Sequence, residues 1–395
     1  MRRPAFILVL TAILLALGLF APRVARHWRH ETDPRDAAGG TTPGLSGNAP
    51  RAPRGEMPER GAPVRDQWRR SRGTEGVFEG SLADRVGAAS GAPELSWLAQ
   101  LLDNDGGAKP VSRETADRWR QAGHTNAADL LALRQAGAGS EYLEAALRQF
   151  PDDPRVLLAS TSLRETSEVV RERMDRFREA DPKNALADYL SAWNELAAGN
   201  REKALEHLTA AAAKPSFEDY TADAARAAEE LYRFEGRSEA EARAVGSSGV
   251  LLPHLAHLKS LSGGLADLQK ELVGAGDLAG AEHVAKMGLR LGKQLTQGPG
   301  SSTIVGELVG IAVEANLVRS LPQDTPYEFL GGDAATYQQN LKQRRADIRS
   351  VSGQFESWIR QASEADVVAY FDVWAKHGER TALEWVRDQA EPKAP

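Results

Sequence analysis

The chain has 395 residues, no cysteine and a net charge of −6. Its length exceeds that of one typical domain, and the lack of cysteine excludes disulfides, thiolate nucleophiles, iron–sulfur clusters and cysteine-based zinc sites. Residues 1–92 carry 14 Lys and Arg against 9 Asp and Glu, which leaves the rest of the chain acidic and argues against nucleic acid as a partner, because phosphate binding needs a dense basic face.

The N-terminal segment, residues 1–30, contains an unbroken run of apolar and small residues at 5–21. Its 17 residues reach the length of a membrane-spanning helix, about 17–25, and exceed the usual signal-peptide core of about 7–15. Ala21 is a poor cleavage position because Leu19 stands where a small residue is needed. We predict an uncleaved signal-anchor, with a cleaved signal peptide as the alternative. Basic residues flank both ends, and the short basic N-terminus favours a body on the extracytoplasmic, periplasmic side.

Residues 31–92 are predicted to form a disordered, basic linker. The stretch 34–73 holds six prolines, seven glycines and eight arginines, with few large apolar residues. Such a segment cannot bury enough surface to offset the entropy of ordering it. Trp68 lies among four arginines and either contacts an anionic lipid or polymer or, more simply, belongs to a solvated run of charge.

From residue 93 onward the composition is that of helices, with Ala, Leu, Glu and Arg dominant. Three serines stand where a side-chain oxygen can cap a helix start, namely Ser112, Ser238 and Ser363. Three glycines stand where a helix can end in a left-handed residue, namely Gly199, Gly236 and Gly276. No stretch alternates as a strand does. The sequence therefore predicts an all-α body.

A repeat is visible in the spacing of the prolines that separate helix pairs. Pro151, Pro182 and Pro215 are 31 and 33 residues apart, close to the period of about 34 residues of one tetratricopeptide helical hairpin. In that family, the second helix of each hairpin carries a small, a large and a small residue at fixed spacing. The same spacing is found at Gly139, Leu143 and Ala146 and at Ala204, Leu208 and Ala211. It is found in part at Ala281, Ala285 and Gly288, where Ala285 replaces the large residue.

On these residues the segment 113–292 resembles a divergent tetratricopeptide-repeat (TPR-like) protein. The pair at 154–180 departs from the pattern, and the family's Trp-Leu-Gly-Tyr signature in the first helix is mostly absent. The resemblance implies an α-solenoid of stacked hairpins over 93–292. Each hairpin would bury one face on its neighbour.

Residues 293–395 lose the period and are predicted to form a helical region that packs on the solenoid or caps it. The apolar segment 303–321 contains Glu307 and Glu314, so we predict a buried helix, since charges at mid-bilayer are costly. Gly306 and Gly310 would permit close packing. A long helix is expected at 333–362 and two shorter ones at about 366–377 and 379–389, with Tyr370, Phe371, Trp374 and Trp385 covering the end of the stack.

Motifs for chemistry are few. His254 and His257 lie three residues apart and could share a metal ion, but no third ligand is placed by the spacing, so a surface or core pair is the simpler interpretation. Asp103 opens a segment that begins like a calcium loop, but Gly107 and Ala108 occupy positions that need a ligand and a glycine, so a turn is predicted. The run 288–294 is one residue short of a phosphate loop and lacks its Ser or Thr, so a helix is predicted there. The run 246–249 lacks the strand–turn–helix context of a nucleophile elbow. No catalytic, cofactor-binding or metal-binding residue is assigned.

The sequence therefore favours a membrane-anchored scaffold that presents an extended surface to a protein or peptide partner, without catalysis and without cofactors. Two alternatives remain open. One is an α-helical envelope enzyme that uses unidentified carboxylates. The other is a structural envelope protein that self-associates. Carboxylates or histidines gathered in one deep pocket would favour the enzyme, and a large exposed apolar stripe would favour the scaffold or the self-associating protein.

Overall fold

A computed structural model of the chain describes residues 109–161, 165–297, 303–359 and 361–390, which all belong to one compact unit. The predicted signal-anchor at 5–21 and the linker at 31–92 lie outside the described residues. Most of the described residues are helical, which confirms the all-α class at that level. Among them, no helix combines the length and the apolar character that crossing a membrane requires.

In the described part of the chain, seven helices precede residue 220. They are α1 (Arg113–Gln121), α2 (Ala127–Gln135), α3 (Glu141–Gln149), α4 (Pro154–Ser160), α5 (Ser167–Ala180), α6 (Leu186–Ala197) and α7 (Arg201–Ala213). The helices that follow are α8 (Thr221–Glu235), α9 (Glu239–Ser248), α10 (Pro253–Gly274), α11 (Leu278–Gln297), α12 (Ile304–Arg319), α13 (Ala334–Ile359), α14 (Glu364–His377) and α15 (Glu379–Ala390). The predicted buried helix, the long helix and the two short C-terminal helices correspond to α12, α13, α14 and α15.

The predicted helix boundaries are confirmed by their caps. The side chains of Ser112, Ser238 and Ser363 each accept a hydrogen bond from the backbone N–H three residues later. This satisfies one of the free amides at a helix start. Gly199 and Gly236 have φ of +82° and +97°. These left-handed conformations are open to glycine and disfavoured for other residues, and they end α6 and α8 as expected.

The expectation that no strand would be found is wrong in one place. Pro326–Tyr327 (β1) and Gly332–Asp333 (β2) pair antiparallel around a short 3-10 helix, Glu328–Leu330. Each strand has two residues, which is too short to show the alternation that identifies a strand in a sequence.

Glycines allow α11 and α12 to cross closely. A Cβ on Gly292 would lie 2.4 Å from Cγ of Glu314, and a Cβ on Gly310 would lie 2.7 Å from the carbonyl oxygen of Gly292. The predicted role of Gly310 in close packing is thus confirmed. Glu314 itself is fully buried, in agreement with a buried rather than membrane-spanning helix.

The helix pairs do not pack only in chain order. The pair α6–α7 packs on α5, which precedes it in the chain, but also on α10 and α11, while the intervening pair α8–α9 contacts α2 and α14. Three large hydrophobic clusters result: one around α1–α3, α8 and α9, one around α4–α7 and α10–α12, and one around α12–α15. The first two clusters meet where α2 and α4 approach α8 and the start of α10.

Candidate functional site

The junction of the first two clusters contains a small, partly open pocket of about 90 Å³. Its wall is mostly apolar and includes Leu131 of α2, Leu143 of α3, Leu158 of α4, Ala224 of α8 and Val250. Eight polar or charged side chains interrupt this wall, namely Arg134, Gln135, Arg155, Asp219, Tyr220, Thr221, Asp223 and His254. An apolar cavity with a few convergent polar groups is the usual form of a ligand site.

Asn184 fixes the loop that brings three of these residues to the pocket. Its fully buried side chain donates to the carbonyl oxygen of Glu218 at 2.8 Å and accepts from the N–H of Glu218 at 3.0 Å. The same loop forms a parallel bridge between Asn184 and Ser216. The segment before α8 is therefore held to the start of α6, which positions Asp219, Tyr220 and Thr221.

Tyr220 is the only non-glycine residue with positive φ in the described part of the chain, with φ of 55°. A left-handed conformation costs such a residue about 1–3 kcal/mol, so surrounding contacts must impose it. Its N–H donates to the Glu218 carboxylate at 2.9 Å, and its hydroxyl donates to Oδ2 of Asp181 at 2.5 Å. Burial and the Asp181 hydrogen bond raise the pKa of Tyr220. This strained turn directs the two neighbouring residues, Asp219 and Thr221, into the pocket wall.

His254 lies in the first turn of α10 and is 1% exposed. Its Nε2 is 3.4 Å from Oδ2 of Asp219, yet neither ring nitrogen makes a hydrogen bond, and the buried hydroxyl of Thr221 has no partner either. Buried polar atoms without partners are uncommon and costly, by about 1–3 kcal/mol each. Because both residues line the pocket, a ligand there can supply the missing hydrogen bonds.

The remaining polar groups of the wall mostly have partners. Arg155 donates to both oxygens of Asp153, at 3.0 and 2.6 Å, and this hydrogen bond raises the pKa of Arg155. Gln135 donates to the carbonyl oxygen of Gly246 at 3.1 Å. Arg134 differs, because it forms no ion pair with any described residue and its shielded Nε has no hydrogen-bond partner.

The structure separates the two histidines that the sequence singles out. His254 faces Asp219, whereas His257 stacks on Trp193 with ring centroids 3.9 Å apart and has Nε2 at 3.3 Å from the carbonyl oxygen of Thr161. Burial lowers the pKa of His257. Within the described ranges, no group of three or more His, Asp or Glu side chains could hold a metal ion.

The other candidate motifs fall on regular structure or outside the described residues. The run 288–294 lies within α11, as expected, and 246–249 spans the end of α9. The segment 103–106 of the candidate calcium loop lies outside the described residues. The pocket itself was not predicted, because Arg134, Asp219 and His254 are far apart in the chain and share no spacing. Only His254 carried a sequence signal, as half of the histidine pair.

Comparison of the chain with protein-family models, with curated proteins and with solved structures gives no match. The case for a function therefore rests on the pocket and on the packing of the helices.

Proposed function

We propose that the chain is a membrane-anchored, non-catalytic helical scaffold that binds a protein or peptide partner, with this pocket as the partner's anchor site. The observation that carries the proposal is the set of buried polar groups without partners, on His254 and Thr221, in a wall that is otherwise apolar. A partner that inserts an apolar group bearing one hydrogen-bonding atom would remove the cost of leaving them unpaired.

The TPR-like character of the scaffold is part of the proposal. Ala204, Leu208 and Ala211, the small, large and small positions of α7, are all buried. The pair α6–α7 also packs beside α10–α11, which carries the small positions of this spacing at Ala281 and Gly288 but has Ala285 in place of the large residue. Both observations agree with stacked hairpins, and the pair α8–α9 would be an insertion that leaves the stack to pack on α2.

Binding at the pocket can be tested by photo-crosslinking in native membranes. A photoreactive phenylalanine analogue replaces Ala128, which lines the pocket, or the exposed Ala210 on α7 as a matched control. We expect a protein adduct from position 128 only, and its loss when Ala224→Leu fills the pocket in a variant that keeps its melting temperature. The same adduct from position 210, or one that survives Ala224→Leu, would refute the pocket as the anchor site.

The membrane anchor is a separate element of the proposal and has its own test. The full-length chain should sediment with membranes and resist extraction at alkaline pH, because residues 5–21 provide an apolar span. Deleting residues 1–30 should release the protein. A mature N-terminus near residue 22–26 would instead show that the segment is a cleaved signal peptide.

One observation favours the enzyme as a second candidate function. A carboxylate beside an imidazole, as Asp219 lies beside His254 at 3.4 Å, is the arrangement that orients a general base. If the pocket is catalytic, a panel of apolar acyl esters should contain one that is hydrolysed, and His254→Gln should abolish that turnover. The scaffold hypothesis predicts no turnover of any ester.

The self-associating structural protein has less support. Among the described residues, Leu278 is the one large apolar side chain that is classed as exposed. A broad apolar stripe for self-association is therefore not found in that part of the chain.

A further inference from the structure

The charges of the pocket wall are balanced except at one residue. Asp223 accepts from Arg226 at 2.7 Å, and Arg155 is held by Asp153. Arg134 is half-buried in the same wall and has no carboxylate partner among the described residues. Its Nε is shielded from water and has no hydrogen-bond partner, and a guanidinium in an apolar wall is satisfied best by an anion, with which it forms charge-assisted hydrogen bonds.

Asp219 is the buried carboxylate of the wall. The N–H of Thr221 donates to its Oδ1 at 3.0 Å, and its Oδ2 lies 3.4 Å from Nε2 of His254. Asp219 forms no ion pair with Arg134.

Further unused hydrogen-bonding groups lie at the same pocket. Val250 and Leu251 belong to the wall, lie between α9 and α10, and have backbone N–H groups that donate to no described residue. The Thr221 hydroxyl and the His254 ring are also able to donate. A set of donors of this kind in one wall suits a ligand group that accepts hydrogen bonds and carries negative charge.

We propose that the pocket binds a carboxylate carried on an apolar group. This inference rests on the proposed function and names the chemical class of the group that the partner inserts. The apolar part packs against Leu131, Leu143 and Leu158, and the carboxylate binds Arg134. A partner peptide and a free fatty acid can both present this chemistry, so the test must separate the two sources.

The test uses the full-length chain in nanodiscs, with empty nanodiscs as the blank, and reads binding by saturation-transfer NMR. One probe pair is hexanoate and hexanamide, and the other is N-acetyl-leucyl-leucine and its C-terminal amide. The affinity of at least one acid should exceed that of its amide by a factor of about ten or more, because a hydrogen bond to a charged group usually contributes that much. The pair that shows this preference identifies the source.

Variants of the cation connect the preference to Arg134. Arg134→Gln should reduce the ratio of acid to amide affinity to about one, and Arg134→Lys should restore part of it, since the charge is kept but the fork of donors is lost. Arg148→Gln is the control, because Arg148 is exposed on α3 and pairs only with Glu144 in a loose contact. Melting temperatures of all variants should match that of the unmodified chain.

The outcomes separate this inference from the function on which it rests. If acids and amides bind equally, or if Arg134→Gln leaves the ratio unchanged, the carboxylate inference is overturned. The anchor pocket then still stands, provided that Ala224→Leu removes the binding of both probes. If no probe of either pair binds, the inference is overturned and the pocket loses its support as a binding site.

Discussion

Asp188 is the most buried partner in an ion-pair network between α5, α6 and the end of α7. Lys214 Nζ lies 2.6 Å from its Oδ2, and Nε of Arg178 lies 3.7 Å from its Oδ1. Removing one member of a buried pair leaves the others desolvated without compensation, which typically costs about 3–5 kcal/mol.

We therefore expect Asp188→Ala to lower the free energy of unfolding, measured in urea, by about 3–5 kcal/mol. Asp267→Ala is the matched control, because Asp267 and its partner Lys270 are both exposed and such pairs contribute about 0–1 kcal/mol. Equal losses of unfolding free energy in the two variants would mean that the burial of Asp188 does not increase its contribution to stability.

Glu379 joins the starts of α15 and α12 and is a pH-sensitive contact. Its Oε2 accepts from the N–H of Ile304 at 2.7 Å. Burial raises its pKa to about 7, against the hydrogen bond from Ile304, and the nearby Glu307 raises it further. The folded state therefore binds a proton more tightly than the unfolded state, so this group contributes stability below pH 4.5 that is lost as pH rises towards 7.

Glu379→Gln should remove this dependence while keeping an acceptor for Ile304. The free energy of unfolding of the variant minus that of the unmodified chain should increase by about 3 kcal/mol as the pH rises from 4.5 to 7. Urea unfolding at several pH values measures this difference, with Glu230→Gln on the exposed face of α8 as the control. A constant difference across that range would contradict the assignment.

At the scale of elements, the spacing on α7 makes a direct prediction about helix packing. Ala204 is buried and Ala210 on the same helix is exposed. Ala204→Leu should force neighbouring helices apart and cost about 1–3 kcal/mol. Ala210→Leu should change stability by less than about 0.5 kcal/mol. Thermal melts of the two variants measure this difference. Equal stability of the two variants would contradict the predicted position of the repeat on α7.

The sequence predicted the elements better than their packing. Ser112, Ser238 and Ser363 act locally, because a cap depends only on the residues within one turn. Gly199 and Gly236 likewise set helix ends through their own backbone conformation. By contrast, the contact of α2 with α8 depends on which apolar faces meet across about 100 residues, and no local pattern encodes it. Proline spacing indicated breaks between helix pairs at residues 151, 182 and 215 but not how the pairs pack in space.

The pocket could not be predicted either, because its residues are brought together only by tertiary contacts. In the sequence, Arg134 looks like any arginine on a helix. Only the structure shows that it lines a pocket and pairs with no carboxylate among the described residues. Tyr220 has no sequence signal for a left-handed conformation, since the hydrogen bonds that it donates to the carboxylates of Glu218 and Asp181 impose it. Sites of this kind are made by tertiary contacts and are not visible in residue spacing.

At the scale of the whole molecule, Arg243 connects two regions far apart in the chain. It lies on α9 and donates to the carbonyl oxygen of Val368 at 3.3 Å and to the carboxylate of Asp372, both on α14. It also donates to Glu239 at 2.8 Å. Arg243 thus adds a polar connection between α9 and α14, beside the hydrogen bond from Ser238 to Glu364 and the packing of Ala240 on Val367.

Arg243→Ala should loosen α14 without unfolding the rest. Loss of hydrogen bonds to a charged group should lower the free energy of opening α14 by about 1.5–3 kcal/mol. Hydrogen exchange mapped along the chain should then show faster exchange in α14 and unchanged exchange in α6 and α10. Arg148→Ala on the exposed face of α3 is the control, and uniform acceleration across the chain would argue against a local connection.

The packing of α2 on α8 has a consequence for biosynthesis. Leu130 and Leu133 of α2 are covered in part by Ala228 and Leu231, about 100 residues later in the chain. At about 5–20 residues per second, the ribosome needs roughly 5–20 s to make that distance. During this interval the apolar face of α2 has no α8 to cover it, and exposed apolar surface of this kind promotes aggregation. The hydrophobic cluster of α1–α3 is therefore completed only after α8 has been synthesised.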